Sequence, residues 1–324
     1  MADRINKFGQ EVTLVAYDSN EVEIFQTDTL RVDFDVRHIA TLTKAKISLF
    51  NLSTETVRLL TKPKSIFISI WVSLHGSTPA KVCEKLFVSN AINETKVPNT
   101  ELSLYCTGRY ENFLNKAVDV WVHKPTLRKM IESVLREGKF PKTPKFLYFP
   151  IELLDYVNYR PTQRQGSVMT VLKSLGDEFG FTFYTEANEI TFVYGCRTAN
   201  YKTTDFENDS NVYTLNSNNM RASPKIGIAS LSIVSNLDTN IKPGIVLDIS
   251  KLVTASVDTD FTNLTLGTSL VEQSIAGYSK YMMTEIQHKG SNWVDTWQTQ
   301  AIGYPPLQGE TMNTDAWWTP HSHI

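Results

Sequence analysis

The sequence has no excess of either charge, no long apolar run and few cysteines. Lysine plus arginine number 32 against 34 aspartate plus glutamate, a formal charge of −2, so nothing draws the chain to nucleic acid by charge, and any contact with DNA is expected to be passive. No run of about eighteen apolar residues offers a spanning helix, and MADRINKFGQ lacks the apolar core of a secretory signal. We therefore expect a chain made and folded in the cytosol, without membrane insertion. Cys83, Cys106 and Cys196 are odd in number and widely spaced, which argues against structural disulfides. Catalytic signatures are missing as well: there is no Gly-x-Ser-x-Gly elbow, no His-Glu-x-x-His and no phosphate-binding loop.

What remains is globular. Apolar residues make up 41% and charged residues 20% of 324, enough for two or three domains, each with its own core. Around Thr29 to Leu60 the pattern is clearest. Leu30, Val32, Phe34 and Val36 alternate with Arg31, Asp33, Asp35 and Arg37, the period of a strand with one buried face. Ala45 to Phe50 reads as a second strand, and Ser53 as the N-cap of a short helix carrying Val57, Leu59 and Leu60. Glu11 to Tyr17 and Val22 to Gln26 read as a hairpin around Asp18-Ser19-Asn20, and Ile66 to Ser73, Lys85 to Ser89 and Glu101 to Thr107 as further strands. Seven strands at this spacing suggest a small antiparallel barrel or sandwich.

After Asn115 the character changes. Leu127, Met130, Ile131, Val134 and Leu135 mark a helix with Pro125 near its first turn, stopping at Gly138; Val168, Val171, Leu172, Leu175 and Phe179 mark another, from Ser167 to Gly180. A hairpin around Glu186-Ala187-Asn188 closes a small α+β module, and the aromatic, proline-rich residues 139–165 read as an ordered connection. Residues 195–224 look like a polar connection over the surface. β character then returns in Ile228 to Val234, Ile245 to Ile249 and a hairpin of Tyr278 to His288 with Trp293 to Ile302, turning at Lys289 to Asn292; Val253 to Val271 is ambiguous. The expected architecture is mainly β with an α+β insertion: a β domain at 1–115, the module and its connection at 116–224, a second β domain at 225–305, and a tail at 306–324.

Several local patterns in this order resemble those of phage tail baseplate hub proteins, a family shared with the hub part of type VI secretion spikes. They are Leu30 to Val36 with Ala45 to Ser53; Ile66 to Ile70 with Lys85 to Asn90; Ser167 to Leu175 before Gly180 to Phe183; and Ile241 to Gly244, then Gly277-Tyr278 and Glu285 to Gly290 before Trp297 to Thr299. The likeness runs over roughly 28–305; at two turns Trp71-Val72 and Val88-Ser89 stand where family members carry glycine-containing pairs. The resemblance implies two tube-type antiparallel barrel or sandwich domains per chain. It also implies a homotrimer in a virion tail baseplate, assembled in the host cytoplasm, that adapts a sixfold tube to a threefold spike and lines the channel through which DNA passes. Implied partners are the tail tube or distal tail protein, the central spike, the tape measure protein and baseplate wedge proteins, and contractile injection devices use the same part.

Within that reading Arg31, Asp33, Asp35 and Arg37 are candidates for the lumen face, against the plainer alternative of a solvated strand face. Trp293 and Trp297, read as sharing one strand face, and Trp317-Trp318 in the tail are candidates for contacts between chains. No catalytic, cofactor or metal residues are expected: Asp177-Glu178 and Glu186 with Glu189 read as solvated charge, His321 and His323 lack further ligands nearby, His288 reads as a satisfied structural histidine, and His38 and His123 as loop residues. Two rival functions are a cell-wall-degrading tail enzyme acting through the central module, and a sugar-binding receptor protein at the tail tip using tryptophan platforms such as Trp71 and Trp121.

Overall fold

The computed structural model describes residues 9–39, 41–61, 66–74, 77–96, 98–157, 161–186, 189–194, 212–222, 224–226, 230–251, 256–257 and 280–304. Strands β1 (Gln10–Tyr17) and β2 (Glu23–Thr27) form the expected hairpin, closed by Asp18, whose Oδ1 accepts the amides of Asn20 and Val22 at 2.8 and 2.9 Å. β3 (Val32–Ile39) and β4 (Leu42–Phe50) pair antiparallel, and α1 (Thr54–Leu60) follows with Ser53 Oγ accepting the Thr56 amide at 3.1 Å. β5 (Phe67–Leu74), β6 (Ala80–Lys96) and β7 (Asn99–Thr107) complete this half. β6 is far longer than Lys85 to Ser89. It pairs β5 as far as Phe87 and β7 from Phe87 onward, and shifts of register on both sides let one strand turn from the first partner to the second.

The insertion holds α2 (Glu111–Leu114), β8 (Ala117–Val122), α3 (Leu127–Glu137), β9 (Lys145–Leu147), α4 (Ile151–Asp155), β10 (Thr162–Ser167), α5 (Val168–Phe179), β11 (Phe181–Glu186) and β12 (Glu189–Tyr194). Both expected helices bury nearly all the residues their spacing selects, Leu127, Met130, Ile131, Val134 and Leu135 on α3, and Val168, Val171, Leu172 and Leu175 on α5, with Phe179 only half-buried at its end. Thr126 caps α3, and Gly180 ends α5 with φ of 75°, a conformation glycine takes without strain. The proline-rich connection is ordered by aromatic packing: Phe146 and Phe149 lie against Phe192, Phe181 and Tyr194.

Beyond the insertion come β13 (Val212–Thr214), β14 (Lys225–Ile226), β15 (Leu231–Asn236), β16 (Val246–Asp248), β17 (Ser256–Val257), β18 (Lys280–Ser291) and β19 (Gln298–Tyr304). The turn between β18 and β19 falls later than expected, because Lys289, Gly290 and Ser291 continue the ladder opposite Asp35, Phe34 and Asp33. That β3–β18 pairing joins the two β regions. Among the described residues one sheet of 14 strands runs β17-β14-β15-β19-β18-β3-β4-β7-β6-β5-β1-β2, with β13 and β16 attached beside β18, and it does not close into a barrel. The fold is thus mainly β with a helical insertion. No helix among the described residues is long and apolar enough to cross a membrane.

Three hydrophobic clusters make up the core. One fills the first β half, with Val12, Leu14, Val36, Ile47, Ile68, Ile70 and Leu104; a second fills the β half after the insertion, with Leu231, Ile233, Leu247, Tyr281 and Ile286. The insertion supplies the third, which also takes in Val246 and Met282 from the later β half. Leu42 and Val212 pack against it as well, and polar ties are added. Tyr148 Oη donates to the Gly244 carbonyl at 3.3 Å and Thr43 Oγ1 to the Thr185 carbonyl at 3.3 Å, so the insertion braces both halves near the ends of β3, β4 and β18.

Candidate functional site

β3 alternates as its sequence demands. Val32, Phe34, Val36 and His38 are buried, while Asp33, Asp35 and Arg37 look out from the other face. His38, read from the sequence as a loop residue, is instead the last inward side chain of the strand, since the ladder with β4 continues to Ile39. Following the register outward from Asp35 gives one row of side chains across seven strands: Asn90, Tyr105, Lys46, Asp35, Lys289, Gln298 and Asn236. A parallel row holds Lys44, Arg37, Gln287 and Gln300, and another Ser103, Ser48, Asp33 and Ser291. The result is a continuous polar face built from strands more than 200 residues apart in the chain.

Charges on this face are paired locally. Arg37 reaches Asp35 through Nε at 3.1 Å and Nη2 at 2.8 Å, and Gln287 Nε2 donates to the same carboxylate at 2.6 Å. Arg31 holds Asp33 through Nε at 3.3 Å and Nη2 at 2.8 Å, while Ser291 Oγ donates to Asp33 Oδ1 at 2.6 Å. The Arg31 guanidinium also lies over the Phe50 ring, 4.2 Å from its centre. At Asp35, partial burial works to raise the carboxyl, but hydrogen bonds from Arg37 and Gln287 with the charges of Arg37 and Lys289 outweigh it and leave the pKa lowered. Arg37 is correspondingly raised by its bond to Asp35. Two of these hydrogen bonds, Gln287 to Asp35 and Ser291 to Asp33, cross the β3–β18 joint. Sequence alternation indicates the outward residues of β3 but not that Lys289 and Gln287 would be their neighbours.

The tryptophan pair expected on one strand separates. Trp293 stands in the turn after β18 and is 67% exposed, whereas Trp297 is 3% exposed, inside the core of the first β half, with Nε1 donating to the Ser291 carbonyl. Trp297 is therefore a packing residue of its own chain, because the turn folds back where β18 crosses β3. The backbone at Trp293 is fixed in the turn: its amide and that of Val294 both donate to Ser291 Oγ, at 3.0 and 3.1 Å. Trp317, Trp318, His321 and His323 lie outside the described residues.

Two of the carboxylates weighed for an enzyme in the insertion are engaged by cations. Glu178 pairs with Arg164, and Glu189 pairs with Lys145. An open groove by the C-terminal end of α3, lined by Glu132, Leu135, Arg136, Phe140 and Lys142, mixes both charges over an apolar floor. No group of three His, Cys, Asp or Glu side chains able to hold a metal is present among the described residues. His288 is buried, and its Nδ1 lies 2.9 Å from Thr299 Oγ1.

No family model and no curated protein matches the sequence. Solved structures do. The tail protein from Neisseria meningitidis matches over 92% of this chain and 97% of its own, with TM-score 0.53 and 10% identity. The 43 kDa tail protein of prophage MuSo2 from Shewanella oneidensis matches over 91% and 98%, with TM-score 0.51 and 9% identity. A component of the Escherichia coli type VI secretion system, itself structurally similar to the T4 bacteriophage tail proteins gp27 and gp5, matches over 85% and 73%, with TM-score 0.50 and 12% identity. This chain has the fold of these phage tail and type VI secretion proteins.

Proposed function

We propose that the chain is a structural protein of a phage tail or related injection device, a hub of which three copies ring a central channel and adapt a sixfold tube to a threefold spike. The observation that carries this reading is the joint at β3–β18. It merges two β regions, one before and one after the insertion, into a single sheet with one broad, mainly polar face, in a fold that tail proteins share along nearly their whole length. In this reading 1–115 and 225–305 are the two tube-type units, 116–224 braces them, and the tail at 306–324 docks on a neighbouring chain through Trp317 and Trp318. Tail tube, spike and tape measure are the partners, and the virion tail is the location.

The polar face lines the channel. Asp33 and Asp35 are tied to Arg31 and Arg37, with Lys44, Lys46 and Lys289 beside them, so passing DNA meets mixed charge without a concentrated run of cations to hold its phosphates. Copies would join where the sheet ends. The second part of β6, from Ser89 to Lys96, pairs only β7 among the described strands, and β14 and β17 form the opposite limit of the same sheet. This reading assigns the chain no catalytic role; Glu178 and Glu189 each stand beside a cation at the exposed surface.

The mass of the purified full chain in solution tests the proposal. A particle of three times the 36.7 kDa chain mass is expected; a monomer at every concentration that digests peptidoglycan would replace the hub with the enzyme reading.

A further inference from the structure

We infer that the paired imidazoles of His38 and His288 form an acid-released latch on the joint between the two β halves, closed while both rings are neutral and opened when one takes up a proton. The ladder sets His38 opposite Ile286 and His288 opposite Val36, so the rings are diagonal neighbours on the buried face of the joint. Their centres are 6.0 Å apart, edge to face at 79°, and the residues are only 8% and 2% exposed. Each ring is held by a threonine. His38 Nδ1 lies 3.0 Å from Thr43 Oγ1, which donates its own proton to the Thr185 carbonyl of the insertion, so His38 must donate from Nδ1. His288 Nδ1 lies 2.9 Å from Thr299 Oγ1, which accepts the Asp238 amide, and His288 also hydrogen bonds the Ile241 backbone. Four strands, the insertion and the loop before β16 therefore meet at these two rings.

Around His288 the balance runs against a positive charge, although the hydrogen bond to the Ile241 backbone favours one. From β3 comes the other imidazole; from the loop before β16 come Lys242, a cation, and Asp238, whose carboxylate is occupied by Tyr213 Oη and by the amide and side chain of Asn240. β4, β19 and the insertion contribute hydroxyls and a carbonyl. Burial above all, then the neighbouring His38 and Lys242, hold the His288 imidazole at about 3 against an ordinary 6.5. The sign follows. With the joint parted the ring meets water and takes a proton below about pH 6.5, whereas the closed joint takes one only near 3, so between those limits acid favours the open form. Each pH unit below 6.5 shifts the balance about tenfold, or about a hundredfold at pH 4.5. Parting β3 from β18 leaves most of the two β cores intact, since they are separate clusters, but withdraws Trp297 from the first of them.

Hydrogen exchange of the full chain at pH 7.5 and 4.5, corrected for the intrinsic rate, tests this independently of the proposed hub. Amides of β3 and β18 are expected to open about a hundredfold more at pH 4.5, with a red shift of tryptophan emission, while the β1–β5 ladder stays protected. Replacing both rings (His38→Gln with His288→Gln) removes the groups that take the proton, so the β3 and β18 amides are expected to open no more at pH 4.5 than at pH 7.5, with the β1–β5 ladder still protected as the check that the variant folds. A joint that exchanges no faster at pH 4.5, or one that opens only together with β1–β5, overturns the latch, as does an acid opening that persists unchanged in the variant lacking both rings.

Discussion

Gly290 faces the Phe34 ring across the β3–β18 joint so closely that a Cβ there would overlap the ring atoms. Gly290→Ala is therefore expected to destabilise the chain by about 1–3 kcal/mol, as overpacking does, measured by denaturant unfolding. Glu21 is the other informative residue. Hydrogen bonds from Lys85 first and Arg109 next hold its carboxyl at about 2, below the ordinary 4.5, and fasten the β1–β2 turn to β6. Because the folded pKa is depressed, this stabilisation is present above about pH 4.5 and is lost as pH falls toward 2. The wild type should melt above Glu21→Gln at pH 6, and the gap should close toward pH 2.5 and narrow in high salt, since the site is exposed. At this scale the sequence was readable where a residue's exposure depends on its own strand, as for Asp33 and Asp35. His38 and Trp297 were misplaced because their burial is decided by a crossing strand far away in the chain.

The two long helices, α3 and α5, were the most legible elements, since each carries its own record: a capping hydroxyl, an apolar stripe and a terminal glycine; the short α2 and α4 have no capping side chain and left no such mark. Ser167 caps α5, with Oγ accepting the Thr170 amide at 3.1 Å. Ser167→Ala should cost about 1 kcal/mol, seen as a lower midpoint of unfolding, while Thr at the same place restores most of it. Strands that lean on a partner for definition escaped. Thr162–Ser167 has a polar, glycine-containing sequence, and only its ladder with Ala117–Val122 makes it β10. Likewise the outer part of β6 reads as turn and polar residues, Ser89-Asn90-Ala91 to Asn93-Glu94, yet β7 holds it extended.

For the whole molecule, alternation along a strand tells which face is wet but not which strand lies alongside. The pairing of β3 with β18, about 250 residues later, therefore had no local signature, and the two β regions could be foreseen without foreseeing that they fuse into one sheet. That fusion gives the polar face its width, and the proposed channel depends on it. Imaging the assembled particle by electron cryomicroscopy tests this most directly. The account predicts three chains around an open channel, with Asp33, Asp35, Lys46 and Lys289 on its wall. A particle in which that face is turned outward, or sealed against a neighbouring chain with no channel, would contradict it.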